Sequence, residues 1–134
     1  MSPTPEALEL RVEADIVICR QAVRRLAQTL GFSLVDQTRM VTAASELARN
    51  TLVYGGGGEM RWAVVQRDAR AGLRLDFEDR GQGIADVGLA LTDGWTTGGG
   101  MGLGLSGSRR LVHDFAIRSV VGEGTCVTIT RWGP

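Results

Sequence analysis

Lysine is absent from the sequence, and all 15 basic residues are arginine. This absence excludes several enzyme classes. A P-loop needs a phosphate-binding lysine, a protein kinase of the eukaryotic fold needs a strand lysine, and Schiff-base chemistry needs an amine nucleophile. Histidine occurs once, as His113, which excludes a metal site built from several histidines. No Gly-x-Ser-x-Gly segment accompanies it, so the nucleophile elbow of the α/β-hydrolases is missing too.

Net charge, long apolar runs and closely spaced cysteines are also missing. The 15 acidic residues balance the arginines, so no charge excess attracts nucleic acid or an anionic membrane. No apolar run approaches the roughly 20 residues of a membrane span, and the first five residues do not resemble an export signal. Cys19 and Cys126 lie outside any metal or redox spacing. We therefore expect a cytoplasmic protein with reduced cysteines and with neither nucleic-acid nor membrane partners.

The first part of the chain alternates briefly and then becomes helical. The length of 134 residues fits a single domain, 1–134, with a loose lead-in over residues 1–8. The hydrophobic spacing predicts one strand and two helices, over residues 9–14, 15–30 and 36–54. Asp15 and Asp36 are the candidate N-caps of the two helices, because a short acidic side chain can accept the unpaired N–H groups of a first turn.

The second part of the chain is mostly strands in hairpins. The pattern predicts strands at 60–66, 73–78, 115–121 and 125–132, a short helix at 87–91, a loop at 93–100, and a longer helix from about 101–105 to His113. Strands grouped in hairpins and helices grouped elsewhere indicate an α+β fold. We expect a two-layer sandwich in which helices cover one face of a mixed, mostly antiparallel sheet.

Glycine is abundant, with 19 residues, about twice the usual ~7%. The cluster at 55–58 is interpreted as flexible turns. The cluster at 98–104 is different, because Gly102 and Gly104 lie where an apolar helix starts, and each glycine inside a helix costs roughly 1 kcal/mol. A glycine-rich run that opens a helix exposes N–H groups at the positive end of the helix dipole. This segment therefore predicts a phosphate site that needs no lysine.

Two further segments carry candidate chemistry. Glu46 and Asn50 are four residues apart, so they share one helical face away from the apolar stripe. A carboxamide oxygen can bind Mg²⁺, and a carboxylate can accept a proton from a hydroxyl. Asp79, at the predicted end of a strand, can accept a hydrogen bond from an exocyclic amine. Taken alone, the helix pair fits an ordinary solvated face, and the Asp79-x-Gly81-x-Gly83 pattern fits a tight turn.

Together, and in this order, the segments resemble the conserved boxes of the GHKL ATPase superfamily, which includes gyrase, Hsp90, histidine kinases and MutL. The resemblance covers roughly residues 35–132 and implies the Bergerat fold, with bound ATP and Mg²⁺. It implies Glu46 as the catalytic base and Asn50 as the Mg²⁺ ligand. The implied ATP-binding residues are Asn50, Asp79, Gly81, Gly83, Ile84, Gly100, Met101, Gly102, Leu103, Gly104 and Thr125.

The chain is more specifically similar to the small bacterial serine/threonine switch kinases of the RsbT type, relatives of the anti-sigma factor kinases SpoIIAB and RsbW. The likeness runs through Ser45–Asn50, Asp93–Gly99, Arg109–Leu111 and Gly122–Thr125. It implies a kinase that phosphorylates a STAS-domain protein in a stress-response partner switch and then activates a PP2C-type phosphatase through its regulatory domain. An anti-sigma factor, or a non-catalytic ATP-binding protein that sequesters a partner, are the alternatives.

The sequence departs from these relatives in one respect that affects charge. The run Gly98-Gly99-Gly100 contains no arginine, whereas some anti-sigma kinases carry a phosphate-facing arginine just before the second glycine box. Three arginines are candidates by proximity in sequence: Arg49, Arg109 and Arg110. Trp62 and Trp132 lie in strand patterns and are interpreted as packing residues, while Trp95 lies in the predicted lid loop.

Overall fold

An antiparallel sheet forms one layer of the computed structural model, which describes residues 6–92 and 104–134. The strands described are β1 (Ala7–Leu10), β2 (Gly58–Arg67), β3 (Arg70–Asp79), β4 (Asp114–Val120) and β5 (Gly124–Trp132). Their order across the sheet is β1-β2-β3-β5-β4, and the four pairings between them are all antiparallel. The expected α+β fold is confirmed, with no parallel pair among the described strands.

Helices form the other layer. They are α1 (Glu13–Thr29), α2 (Leu34–Val53), α3 (Val87–Ala90) and α4 (Leu105–Arg110). The predicted apolar stripes of α1 and α2 are buried, including Cys19 and Val23 on α1 and Met40 and Leu47 on α2. Within the described ranges, no helix is both long enough and apolar enough to cross a membrane.

Strand β3 shows why the helices cover one face only. Leu73, Leu75 and Phe77 are buried, whereas Arg74 and Asp76 between them stay in contact with solvent. Side chains alternate between the faces of a strand, so the apolar set points to the helices and the charged set points away. On the covered side the Cys19 sulfur lies 3.4 Å from the Met60 sulfur, and burial raises the pKa of the Cys19 thiol to about 12.

Several predicted boundaries were wrong for local reasons. Strand β1 spans Ala7–Leu10 and not 9–14, because α1 already begins at Glu13. The Asp15 carboxylate accepts the N–H groups of Arg11 and Val12, at 2.8 and 3.0 Å, so Asp15 acts inside the first turn and not as the N-cap. The N-cap of α2 is Ser33, whose hydroxyl accepts the Asp36 N–H at 3.1 Å.

Helix α4 ends at Arg110, three residues before the predicted end at His113. His113 belongs instead to the start of the last hairpin, since its N–H donates to the Thr130 carbonyl at 3.1 Å. Its Nδ1 accepts the Trp132 N–H at 2.9 Å. Burial, aided by the charges of Arg131 and Arg70, lowers the pKa of His113 and so favours the neutral ring that this bond requires.

A buried arginine joins both layers. Arg131, only 8% exposed, donates to the Asp36 carboxylate at 2.7 Å and to the Leu111 carbonyl at 2.9 Å. The end of β5 is thereby tied to the first turn of α2 and to the segment after α4. Burial alone would raise the pKa of Asp36, but the hydrogen bond and charge of Arg131, with smaller contributions from Ser33 and Arg39, lower it.

We predict that Arg131→Met destabilises the fold by about 1–3 kcal/mol, because it removes two hydrogen bonds, one of them to a carboxylate. Urea unfolding at neutral pH measures this loss. Arg39→Met is the matched control, because Arg39 is an exposed partner of the same carboxylate at 3.2 Å, and it should cost less than about 0.5 kcal/mol.

The same pair predicts a pH dependence. A carboxyl whose pKa is lowered by folding stabilises the protein above its unfolded pKa, and this contribution is lost as the pH falls through the lower, folded value. Between about pH 5 and pH 2 the stability gap between wild type and Arg131→Met should therefore shrink, as the Asp36 carboxylate is protonated. Nearer neutrality the gap also changes with pH, because Arg131 lowers the pKa of His113. A gap that stays unchanged from about pH 5 to pH 2 would show that the Asp36 charge does not contribute.

Candidate active site

A cavity of about 410 Å³ opens between α2 and the ends of strands β3 and β5. Five of the predicted site residues line it, and they come from different elements. They are Asn50 on α2, Asp79 at the end of β3, Gly83 and Ile84 in the following turn, and Thr125 on β5. Residues separated by up to 75 positions in sequence are thus brought to one site.

The interior of the cavity is apolar. Leu47, Phe77, Leu105 and Val127 line it, and each is at most 5% exposed. Polar groups are found at particular points of this wall, an arrangement typical of sites that enclose a flat organic ring and fix its orientation.

Asp79 is the half-buried carboxylate of the cavity. Its Oδ1 accepts the Gly81 N–H at 2.9 Å. Burial raises the pKa of Asp79, the N–H groups of Gly81 and Thr125 oppose this, and the Glu78 charge adds to it, so the pKa remains above its ordinary value. A carboxylate offers about four acceptor sites, so Asp79 retains capacity for a donor in the cavity.

The glycines after Asp79 are required by close backbone contacts. Gly83 has a φ of +77°, a conformation that favours glycine, and a Cβ at this position would overlap the Val120 carbonyl oxygen. A Cβ on Gly81 would lie 2.8 Å from the Gly55 Cα, closer than real contacts allow. The turn therefore passes against two other segments of backbone, and only glycine fits at either position.

Ser119 was not anticipated from the sequence, yet it joins three parts of the site. Its Oγ accepts the Ile84 N–H at 2.7 Å, donates to the Gly124 carbonyl at 3.2 Å, and lies 2.7 Å from the Thr125 hydroxyl. One signal was present in the sequence: β4 alternates Phe115, Ile117, Ser119 on its inner face, and the serine is the polar exception.

Glu46 lies one turn before Asn50 on α2, as predicted, but is not among the described residues that line the cavity. Its position is defined by Gly104, because a Cβ there would come within 2.6 Å of a Glu46 carboxylate oxygen. Gly104 has a φ of +65° and precedes α4 directly. Glu46 thus faces the end of the second glycine box. The other residues predicted from that box, Gly100, Met101, Gly102 and Leu103, lie outside the described residues, as does Trp95.

None of the three candidate arginines is among the described residues that line the cavity. Arg49 pairs with Glu13 at 3.1 Å and ties α2 to the start of α1. Arg109 and Arg110 lie in the last turn of α4, at the end farther from Glu46. Trp132 packs as predicted, with its indole N–H on Asp114 at 2.9 Å and the Arg67 guanidinium 4.5 Å above its ring.

The described residues include no cluster of three or more metal-ligating side chains of the His, Cys, Asp or Glu type. A magnesium ion usually keeps several waters and takes few protein ligands when substrate phosphates complete its shell. The Asn50 amide at the cavity wall fits a site in which a bound phosphate completes the magnesium shell. It does not fit a metal site made by protein ligands alone.

Comparison with known proteins relates this arrangement to one family. The family model described as histidine kinase-, DNA gyrase B-, and HSP90-like ATPase matches residues 35–132. The serine/threonine-protein kinase RsbT of Bacillus subtilis (strain 168) is 43% identical over 125 residues, which cover 93% of this chain and 94% of that protein.

Solved structures agree on the fold. The RsbU and RsbW domains of a Mycobacterium tuberculosis protein match with a TM-score of 0.62 at 20% identity, over 99% of this chain and 34% of that one. This chain therefore spans about a third of that two-domain structure. The catalytic domain of the histidine kinase ThkA, in a nucleotide-free form, matches with a TM-score of 0.54 at 15% identity over 95% of both chains.

Proposed function

Since the chain belongs to the histidine kinase-, gyrase B- and HSP90-like ATPase family, and within it to the RsbT-like serine/threonine-protein kinases, we propose that it transfers the γ-phosphoryl group of ATP to a STAS-domain protein. The single observation that supports this best is the convergence of Asn50, Asp79 and Thr125 on one apolar cavity. Glu46 lies one turn from Asn50 and beside Gly104. ATP use follows from the family. The roles of the individual residues are our proposal.

In this proposal the cavity holds the adenine ring. Phe77, Leu105 and Ile84 would contact its faces, and the free acceptor capacity of Asp79 would meet the exocyclic amine. Thr125, whose hydroxyl is held by Ser119, would contact the ring edge beside Asp79. The missing side chains at Gly81 and Gly83 keep the turn close to the ring.

The phosphates would extend from the cavity toward Glu46 and the second glycine box. The N–H groups of the segment Gly100 to Gly104 would cradle them. Asn50 would hold Mg²⁺ through its amide oxygen, and the ion would supply positive charge to offset that of the phosphates. Positioning and charge neutralisation account for most of the catalysis in phosphoryl transfer, so the chain needs few reacting side chains.

Glu46 is exposed, one turn from Asn50, and not buried among apolar residues. We assign it the role of general base. Its carboxylate would accept the proton of the attacking serine or threonine hydroxyl while that oxygen bonds to phosphorus. The bond from phosphorus to the ADP oxygen would break at the same time, and the electron pair would leave with ADP.

We predict that Asn50→Ala weakens ATP binding at least tenfold in the presence of Mg²⁺, because the ion loses its only assigned side-chain ligand. Titration calorimetry with MgCl₂ and then with EDTA measures this. Wild type should bind more weakly in EDTA, and the variant should be indifferent to the metal. Equal Mg²⁺ dependence in both proteins would remove Asn50 from the metal site. No ATP binding by wild type at millimolar concentration would refute the kinase proposal.

We predict that Glu46→Gln leaves ATP affinity within a few-fold and slows phosphoryl transfer to a STAS-domain protein by roughly 10²–10⁴-fold. The amide keeps the shape of the side chain but cannot take the proton. Transfer of labelled phosphate at saturating ATP is the measurement. Glu59→Gln, on the open face of the sheet beside Arg61, is the matched control and should react at the wild-type rate.

The partner proposal is a switch between two proteins on overlapping surface. Near the N-terminal half of α1, Val17 and Ile18 are about half exposed, and the same helix carries Arg20, Arg24 and Arg25 along a shallow groove. We propose that the STAS protein contacts this helix and the lid region.

Phosphorylation then places a charge of about −2 opposite Glu46, and like-charge repulsion releases the product. The free kinase next binds a PP2C-type phosphatase through its regulatory domain, in the cytoplasm, where free cysteines persist.

A competition pull-down distinguishes this proposal from the anti-sigma alternative. The STAS protein, a phosphatase regulatory domain and a sigma factor are offered together, with and without ATP. We expect capture of the STAS protein without ATP and of the phosphatase domain after ATP addition. Capture of the sigma factor instead would favour the anti-sigma function. Capture of the same partner with and without ATP would favour a non-catalytic sequestering protein.

A further inference from the structure

Gly55 comes after Tyr54, the C-cap residue of α2, and begins a run of four glycines. The sequence pattern alone suggests a flexible turn, but the four positions differ in the structure. A Cβ on Gly56 would meet nothing within 4 Å. A Cβ on Gly55 would overlap the Cβ and Cγ of Asp79 and lie 2.6 Å from its Oδ2. The space that a side chain would need at position 55 is therefore filled by the Asp79 side chain.

The other neighbour of Gly55 is Gly81. A Cβ on Gly81 would lie 2.8 Å from the Gly55 Cα and 2.9 Å from its carbonyl oxygen. Gly81 in turn donates its N–H to Asp79 at 2.9 Å. The backbone of Gly55 is thus packed between the Asp79 side chain and the Gly81 backbone.

Neither side of this contact can yield easily. The Asp79 Cβ is attached to a strand residue that pairs with Gly58 on β2 and with Thr125 on β5. Gly55 donates its N–H to the Asn50 carbonyl at 3.1 Å, so it continues the end of α2. Its φ is not positive, so alanine fits the backbone conformation. A side chain at position 55 is therefore opposed by overlap with Asp79 and not by backbone strain.

We propose that Gly55 is a positioning residue for nucleotide selectivity, whose missing side chain fixes the Asp79 carboxylate and its spacing from Asn50. This inference rests on the proposed ATP function. Helix α2 carries Asn50, the proposed Mg²⁺ ligand, and β3 carries Asp79, the proposed partner of the adenine amine. The contact at Gly55 therefore sets the distance between these two groups. A methyl group at position 55 displaces the carboxylate, and the hydrogen bond to a base amine is lost with it.

The test compares Gly55→Ala with Gly107→Ala. Gly107 lies in α4, and a Cβ there would meet nothing within 4 Å. Affinities for ATP and for ITP, which has an oxo group in place of the amine, are measured by calorimetry with Mg²⁺. We expect Gly55→Ala to bind ATP at least tenfold more weakly, with an ATP-to-ITP ratio near one. Gly107→Ala should stay within twofold of wild type in both. A folded Gly55→Ala protein with the wild-type ratio would overturn the inference.

A second measurement does not depend on nucleotide. Thermal unfolding is compared for Gly55→Ala in the wild-type and in the Asp79→Gly background, which removes the three atoms nearest to the new methyl group. We expect a clear loss of Tm in the first background and little in the second. An equal loss in both would show that Gly55 does not act through Asp79. If wild type fails to bind ATP, the proposed function is refuted, while this unfolding cycle still decides whether the contact exists.

Discussion

The candidate site depends on keeping one carboxylate half-buried at the end of a strand. Asp79 would be costly to place beside an apolar cavity without hydrogen bonds, and the N–H groups of Gly81 and Thr125 provide them. A side chain at Gly55 or Gly124 would overlap Asp79 itself, and a side chain at Gly81 would be too close to Gly55. These three glycines thus have a local cause in the packing around a single charged residue.

That constraint links the two layers of the fold. Helix α2 approaches the sheet closely where its end meets the Asp79 turn, and the same helix presents Glu46 and Asn50. The other end of α2 is held by Arg131, which also binds the carbonyl after α4. One end of the helix is therefore fixed to the sheet by the hydrogen bond between Arg131 and Asp36, and the other by the close packing of Gly55 against the Asp79 side chain. The apolar stripe between them fills the core. A site made of residues from α2, β3 and β5 needs this fixed relation between the layers.

The sequence predicted the parts of the site that follow from local spacing. Glu46 and Asn50 share a face because they are four residues apart, and Asp79 ends a strand because alternation stops there. It did not predict contacts made by distant residues. Arg131 meets Asp36 across 95 positions, and Ser119 meets Ile84 across 35. The sequence predicted only a turn at Gly55, because the side chain that requires a glycine there, Asp79, belongs to another element. Helix ends were misplaced where neighbouring polar groups, such as Ser33, replaced the expected caps.

The absence of lysine bears on how a site of this kind can carry phosphate charge. No described arginine lines the cavity, and residues 93–103 contain no basic residue in sequence. On the proposed function, the charge of the triphosphate must then be met by Mg²⁺ and by backbone N–H groups. Both depend on geometry, since an amide dipole acts only when it points at the anion. Contacts that fix the position of α2, such as those at Gly55 and Arg131, would accordingly matter more here than in a site where a long, mobile lysine can follow its ligand.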